Sequence, residues 1–166
     1  MSNKSYLSVY AKSFSWAGYF LPNETFKKCS ALYDFCRVAD NIADDDGEIE
    51  SKKKKFDQFE SDFNHKKFDD PVIKNMWDLI EEFKISLIIV QDLLIGIKSD
   101  IKDKVKLNSK KDLLIYSYRV AGTVGLMMAK IMKVNKKSSL NSAIDLGIAM
   151  QLTNISRDVI EDSKNN

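Results

Sequence analysis

Gln151, Asn154, Asp158 and Asp162 follow one another at steps of three, four and four residues, which at 3.6 residues per turn places them along one helical face. Leu146, Ile148, Ala149, Met150, Leu152, Ile155 and Val159 fill much of the remaining surface, so this helix reads as largely buried. Its polar stripe is then more than a solvent side, and burying it unsatisfied is expensive. Tyr33, Arg37, Asp40 and Asp44, at steps of four, three and four, form a second stripe of the same kind. Two aspartates four residues apart repel mildly on an isolated helix. Four carboxylates converging at about 5 Å would cost roughly 3 kcal/mol per pair at an effective dielectric near 20, a cost that cations or protonation relieve. Carboxylate oxygens with no Cys or His among them favour a hard ion, and Mg²⁺ keeps its waters and bridges to phosphate oxygens. The residues alone point to a metal-dependent diphosphate site between helices.

Within the second stripe, Arg37 has two readings. It is either half of an intrahelical surface pair with Asp40, worth little, or a bidentate grip on a diphosphate. The apolar neighbours Leu32, Phe35, Cys36, Val38 and Ile42 favour a partly buried helix and the second reading.

The elements that must position these groups read as all helical. Two prolines and six glycines, no two-residue alternation and no Asn-Gly hairpin signal leave little room for strands. The spacing predicts helices over Lys4 to Tyr19, Glu24 to Ala43, Glu50 to Asn64, Pro71 to Phe83, Ser86 to Ile101, Lys110 to Met132 and Ser138 to Asp162. Asn23 suits an N-cap after Pro22, and Pro71 a first-turn position after Asp70. The length of 166 residues and 44% hydrophobic content support one domain with a core. A net charge of +2, from 26 basic and 24 acidic residues, argues neither for nucleic acid nor for repulsion from a membrane surface, and no nucleic-acid partner is expected. Cys29 and Cys36 read as reduced thiols of a cytoplasmic protein. The N-terminus lacks a signal-peptide pattern, and the apolar run from Ile85 to Ile97 is too short and too interrupted to span a bilayer. The charged stretch KKKKFDQFESDFNHKK reads as a solvated amphipathic helix with Phe56, Phe59 and Phe63 on one face, and its lysines admit peripheral contact with an anionic membrane. His65, the only histidine, has no partner pattern for a metal or a triad.

The strings KSFSWAGYFLP, ALYDFCRVADNIADD, YSYRVAGTVGLMMAKIM and DLGIAMQLTNISRDVIED resemble, in order and spacing, the signature blocks of the squalene/phytoene synthase family, and most closely its bacterial phytoene synthase branch. QDLLIGIKSDI resembles the family's middle helix. The resemblance implies an all-α isoprenoid synthase bundle and the Mg²⁺-dependent (or Mn²⁺-dependent) head-to-head condensation of two prenyl diphosphates. It favours geranylgeranyl diphosphate going to phytoene through a cyclopropyl diphosphate. By match, Lys12 and Ser13 around Phe14, together with Tyr33 and Arg37, would hold diphosphate. Asp40, Asp44, Asp158 and Asp162 would hold metal. Tyr116 and Asn154 would act at the reacting atoms, with Gln151 and Arg157 beside the substrate and Val120, Ala121 and Val124 along its isoprenoid tail.

Three departures stand out. Ala11 replaces a common hydroxyl donor, Asn41 follows Asp40 where the family commonly carries a second acid, and the chain stops after the second acidic motif. The expectation is a fragment, a truncated product or half of a split enzyme whose partner chain supplies the remaining C-terminal helices. A non-catalytic assembly subunit and a squalene-type synthase using farnesyl diphosphate are the alternatives. A di-iron oxidase is disfavoured, since its Glu-x-x-His ligation is absent.

Overall fold

The computed structural model describes Gly18, residues 20–102 and residues 107–165, with side chains as far as Val159. Its helices are α1 (Asn23–Ala43), α2 (Ile49–Asn64), α3 (Pro71–Phe83), α4 (Leu87–Lys98), α5 (Lys110–Ser117), a π-helical segment (Tyr118–Gly122), α6 (Thr123–Ile131) and α7 (Lys137–Asn165), with no strand among the described residues. The expected helix over Lys4 to Tyr19 lies outside the described residues apart from Gly18.

Pro22, with extended ψ, caps α1 from outside, and Asn23 is its first helical residue rather than its cap. At α3 the expected chemistry holds. The Asp70 carboxylate accepts the Val72 N–H at 2.7 Å and Pro71 occupies the first turn, where its missing donor costs nothing. Ser109 caps α5 by accepting the Asp112 N–H.

The core forms where α1, α2, α3, α4 and α6 turn their apolar faces together. Phe35 of α1 meets Phe59 and Phe63 of α2 at ring-centroid distances of 5.4 and 5.3 Å, and Phe63 stacks on Trp77 of α3 at 5.3 Å. The buried Trp77 indole donates to the Phe63 carbonyl, so the aromatic cluster leaves that donor satisfied. The lysine-rich α2 thus buries its phenylalanine face and keeps its charges outside, as its periodicity implies. Lys98 at the end of α4 reaches Asp57 and Glu60 of α2, at 2.7 and 2.8 Å, and ties those helices together.

Two expectations about the C-terminal half are corrected. The helix expected over Lys110 to Met132 is interrupted by the π-segment, where the Thr123 hydroxyl donates back to the Arg119 carbonyl at 2.7 Å. Such back-bonding and the widened turn mark a bulge in an otherwise α-helical run. Helix α7, expected to be largely buried, packs on α5, the π-segment and α6 along one side only. Leu146, Met150 and Val159 are exposed, at 62, 41 and 63%. The contact that α7 does make is close, because Gly147 and Gly125 omit a side chain. A Cβ on Gly147 would lie 2.3 Å from the Ala121 carbonyl oxygen, and one on Gly125 would lie 2.3 Å from that of Ala143.

Candidate functional site

The acidic end of α1 is where polar groups concentrate. Asp40 lies on its last turn and Asp44 at its C-cap, whose N–H returns to the Asp40 carbonyl. The apolar neighbours Phe35, Ala39 and Ala43 draw this face of α1 into the core, and Asp40 is carried partly with it. Burial, together with the charges of Asp44 and Asp100, pushes the Asp40 carboxyl up to about 6, with Arg37 opposing them. Arg37 and Tyr33 sit one and two turns earlier on the same helix, both half-buried. Burial raises the Tyr33 phenol, with Arg37 countering. The Asn41 side is exposed, so the substitution that removes one acid removes it from the wetter flank.

The third member of the cluster is Asp100, which nothing in the sequence singles out. Helix α4 ends at Lys98, earlier than its periodicity suggests, which puts Asp100 in the following turn rather than on a helix face. Its Oδ2 accepts a hydrogen bond from the Tyr116 hydroxyl of α5 at 3.0 Å; its Oδ1 is buried without a hydrogen-bond partner among the described residues. Burial pushes Asp100 up to about 6, with the Tyr116 bond and Lys102 acting against it and Asp44 with it. The Tyr116 phenol is raised by burial and by the charges of Asp100, Asp40 and Asp44. Asp40, Asp100 and Tyr116 thus share one partly buried environment that also feels the charge of Asp44. The one mark it leaves in the sequence is an isolated Asp in the KSDI turn, with no periodic partner.

Tyr116 lines a cleft of about 340 Å³ with Ser99, Lys102, Leu107, Asp112, Ile115 and Arg119. A larger cleft of about 500 Å³, between α2 and the end of α4, contains Lys53, Asp57, Lys98 and Lys102 but none of the acidic cluster. We assign the site to the smaller one, because Tyr116 connects it to the perturbed carboxylates.

The remaining sequence-derived residues divide. Val120, Ala121 and Val124 are half-buried along the π-segment and α6, with Val120 against Gly96 of α4. On α7, Gln151 is half-buried, whereas Asn154, Arg157 and Asp158 are exposed. Arg157 donates from Nε and Nη2 to Asp158 Oδ1 at 3.1 and 3.0 Å, and Asp158 is not among the charges that shift Asp40 or Asp100. Of the described side chains in the two stripes, Asp40 is partly buried on α1, and Asp158 is exposed in this pair with Arg157. Lys12, Ser13 and Phe14 lie outside the described residues, as does the Asp162 side chain.

The donor set suits a hard divalent cation in kind. It offers carboxylate oxygens under mutual repulsion, with His65 bonded to Ser61 on α2 and the Cys36 thiol held protonated by burial. Among the described residues no three such groups are spaced to enclose a metal ion.

The all-helical fold is of the isoprenoid synthase type, and a solved dehydrosqualene synthase in complex with a ligand shares it. The TM-score is 0.73 at 32% identity, over 95% of this chain and 56% of that one. The family profile described as squalene/phytoene synthase matches residues 7–166, and the chain belongs to that family. It is 31% identical to a 15-cis-phytoene synthase of Enterobacter agglomerans, over 95% of this chain and 57% of the relative. It is 35% identical to a phytoene synthase of Rhodobacter capsulatus, over 92% and 46%. The chain spans about half the length of these relatives.

Proposed function

We propose that the chain carries a prenyl diphosphate site and works in the head-to-head condensation of two such substrates, with geranylgeranyl diphosphate as substrate and phytoene as product. The observation that carries this reading is the pair of raised carboxylates Asp40 and Asp100, both feeling the charge of Asp44, with Arg37 on the same helix as Asp40 and Tyr116 bonded to Asp100, in a chain whose relatives are named phytoene synthases.

In this reading Arg37 takes diphosphate oxygens through two parallel donors, with Lys12 and Ser13 adding an ammonium and a hydroxyl and Tyr33 flanking them. Asp40, Asp44, Asp158 and Asp162 are the residues that would hold Mg²⁺, or Mn²⁺ in its place. When bound, the ion supplies positive charge that favours departure of pyrophosphate. The Tyr116 ring faces the developing allylic cation with its quadrupole, and Gln151, Asn154 and Arg157 approach from α7. Val120, Ala121 and Val124 line the tail and keep water from the cation, which the double bond of the second substrate attacks to give a cyclopropyl diphosphate. A second ionisation, rearrangement and proton loss give the triene. No hydride enters, in keeping with phytoene rather than squalene.

The exposed Leu146, Met150 and Val159 support a second element of the proposal, that further helical chain covers the outer face of α7 and brings Asp158 inward. A cytoplasmic enzyme touching the membrane at its surface fits the greasy product, and no helix among the described residues is long and apolar enough to cross a bilayer.

The test is pyrophosphate release from geranylgeranyl diphosphate with and without Mg²⁺, with products identified. The proposal expects release that requires Mg²⁺, giving a water-quenched alcohol from the chain alone. It expects phytoene once the C-terminal portion of a phytoene synthase is supplied. Absence of release in both preparations favours a non-catalytic assembly subunit.

A further inference from the structure

We propose that Asp100 is a positioning residue: it holds the Tyr116 phenol at the edge of the acidic cluster, at a distance set by the close approach of α4 to the π-segment at Gly96. The inference rests on the prenyl diphosphate reading of this site and adds to it a residue that neither stripe contains.

The hydroxyl of Tyr116 has one described partner, Asp100 Oδ2 at 3.0 Å, and a phenol so held cannot swing to another rotamer without breaking that bond. Asp100 is itself placed by backbone. Its N–H donates to the Ile97 carbonyl at 3.0 Å and its carbonyl accepts from Lys102 at 2.8 Å, so the turn after α4 is tied on both sides. The Ser99 hydroxyl adds a bond to the Gly96 carbonyl at 2.6 Å.

The docking of α4 on the π-segment does not need the Asp100 bond. A Cβ on Gly96 would lie 2.8 Å from Arg119 Cβ and 2.9 Å from Val120 Cγ1, so packing through this notch already fixes the approach. Tyr118 makes a separate link to Asp92 of the same helix. A tie needed only to join the helices would be redundant here, and it would not be expected to leave a buried Oδ1 with no hydrogen-bond partner among the described residues. The arrangement makes sense when the phenol must hold its ring and oxygen in a fixed place beside a reacting centre, and when its partner must be an acceptor that cannot donate a proton back.

The experiment compares the full chain with Asp100→Asn, Asp100→Leu and Tyr116→Phe, each first shown to keep wild-type helicity. Ionisation of Tyr116 is read as the near-ultraviolet titration of each protein minus its Tyr116→Phe counterpart, which separates it from the other tyrosines. Mg²⁺-dependent pyrophosphate release is measured in parallel. The inference expects Asp100→Asn to lower the Tyr116 ionisation by about one pH unit or more. It expects Asp100→Leu to lower kcat on the order of 10- to 100-fold with KM within about twofold. Asp100→Asn, which keeps an acceptor, should recover part of that loss, and Asp100→Leu combined with Tyr116→Phe should be no worse than the worse single variant.

An unchanged Tyr116 titration in Asp100→Asn overturns the pairing, whatever the activity. A shifted titration with wild-type kcat in both Asp100 variants overturns the positioning role. If the wild-type chain releases no pyrophosphate, the prenyl diphosphate reading fails and the catalytic role falls with it. The titration still decides whether the pair exists, so the two failures are separable.

Discussion

At the scale of single residues, the site is defined by what burial does to charge. Asp40 and Asp100 both rise to about 6 from an ordinary carboxylate value near 3.8. Each therefore binds more proton in the folded than in the unfolded chain between about pH 4 and 6. Stability associated with them is present at the acid end and is lost as pH rises through that window. At about 1.4 kcal/mol for each pH unit between the folded and unfolded values, the ceiling is near 3 kcal/mol for Asp40. It is lower for Asp100, which keeps more contact with water, and the two do not add because both feel Asp44. Asp100→Asn should accordingly raise the melting temperature at pH 7 to 8 without Mg²⁺ and flatten its dependence between pH 4 and 6. A variant no more stable than wild type at pH 8 would contradict the burial account of Asp100. Arg37→Lys tests the other polarity. Replacing a planar fork by a point charge should raise KM for the prenyl diphosphate severalfold, and unchanged kinetics would return Arg37 to a pairing role on α1. Asp40 and Arg37 are legible in the sequence because they recur at helical spacing among apolar neighbours, whereas Tyr116 comes from the family resemblance alone. Asp100 is not legible, since its position depends on where α4 ends and on the fold bringing α5 across that end.

At the scale of elements, periodicity locates α1, α2 and α3 well, because their apolar faces close on a single aromatic core and caps such as Asp70 are written locally. It fails where tertiary contact rather than local preference decides. Nothing periodic distinguishes a π-segment from α-helix, and the bulge at Tyr118–Gly122 sits where α4 and α7 both approach within reach of bare glycines. The polar stripe of α7 is visible as a stripe, but its burial follows only from composition, and composition does not say which neighbours cover a face. The glycine contacts make a direct prediction. Gly147→Ala places a methyl against the Ala121 carbonyl and should cost about 1 to 3 kcal/mol, as overpacking does. Gly47→Ala, where the nearest atom to a new Cβ is 3.8 Å away, should be nearly neutral. Equal melting temperatures for the two variants would mean that the α6–α7 crossing is looser than its geometry indicates.

At the scale of the whole molecule, the acidic end of α1, the turn after α4 and the Tyr116 face of α5 come together, while Asp158 of α7 is exposed and paired with Arg157. An α7 with Leu146, Met150 and Val159 exposed should bind a hydrophobic dye and promote association, and size-exclusion chromatography with dye titration checks this. Supplying the C-terminal portion of a phytoene synthase should reduce both. A monomeric chain that binds no dye would remove the reason to expect a covering segment. The central claim, a cation-assisted grip on a prenyl diphosphate by α1, is tested most directly by calorimetric titration of geranylgeranyl diphosphate into the chain and its Asp40→Asn variant, each with and without Mg²⁺. The account predicts binding that strengthens with Mg²⁺ in the wild-type chain and loses that dependence in Asp40→Asn. Binding indifferent to Mg²⁺, or an Asp40→Asn variant with the same Mg²⁺ dependence as wild type, would contradict it.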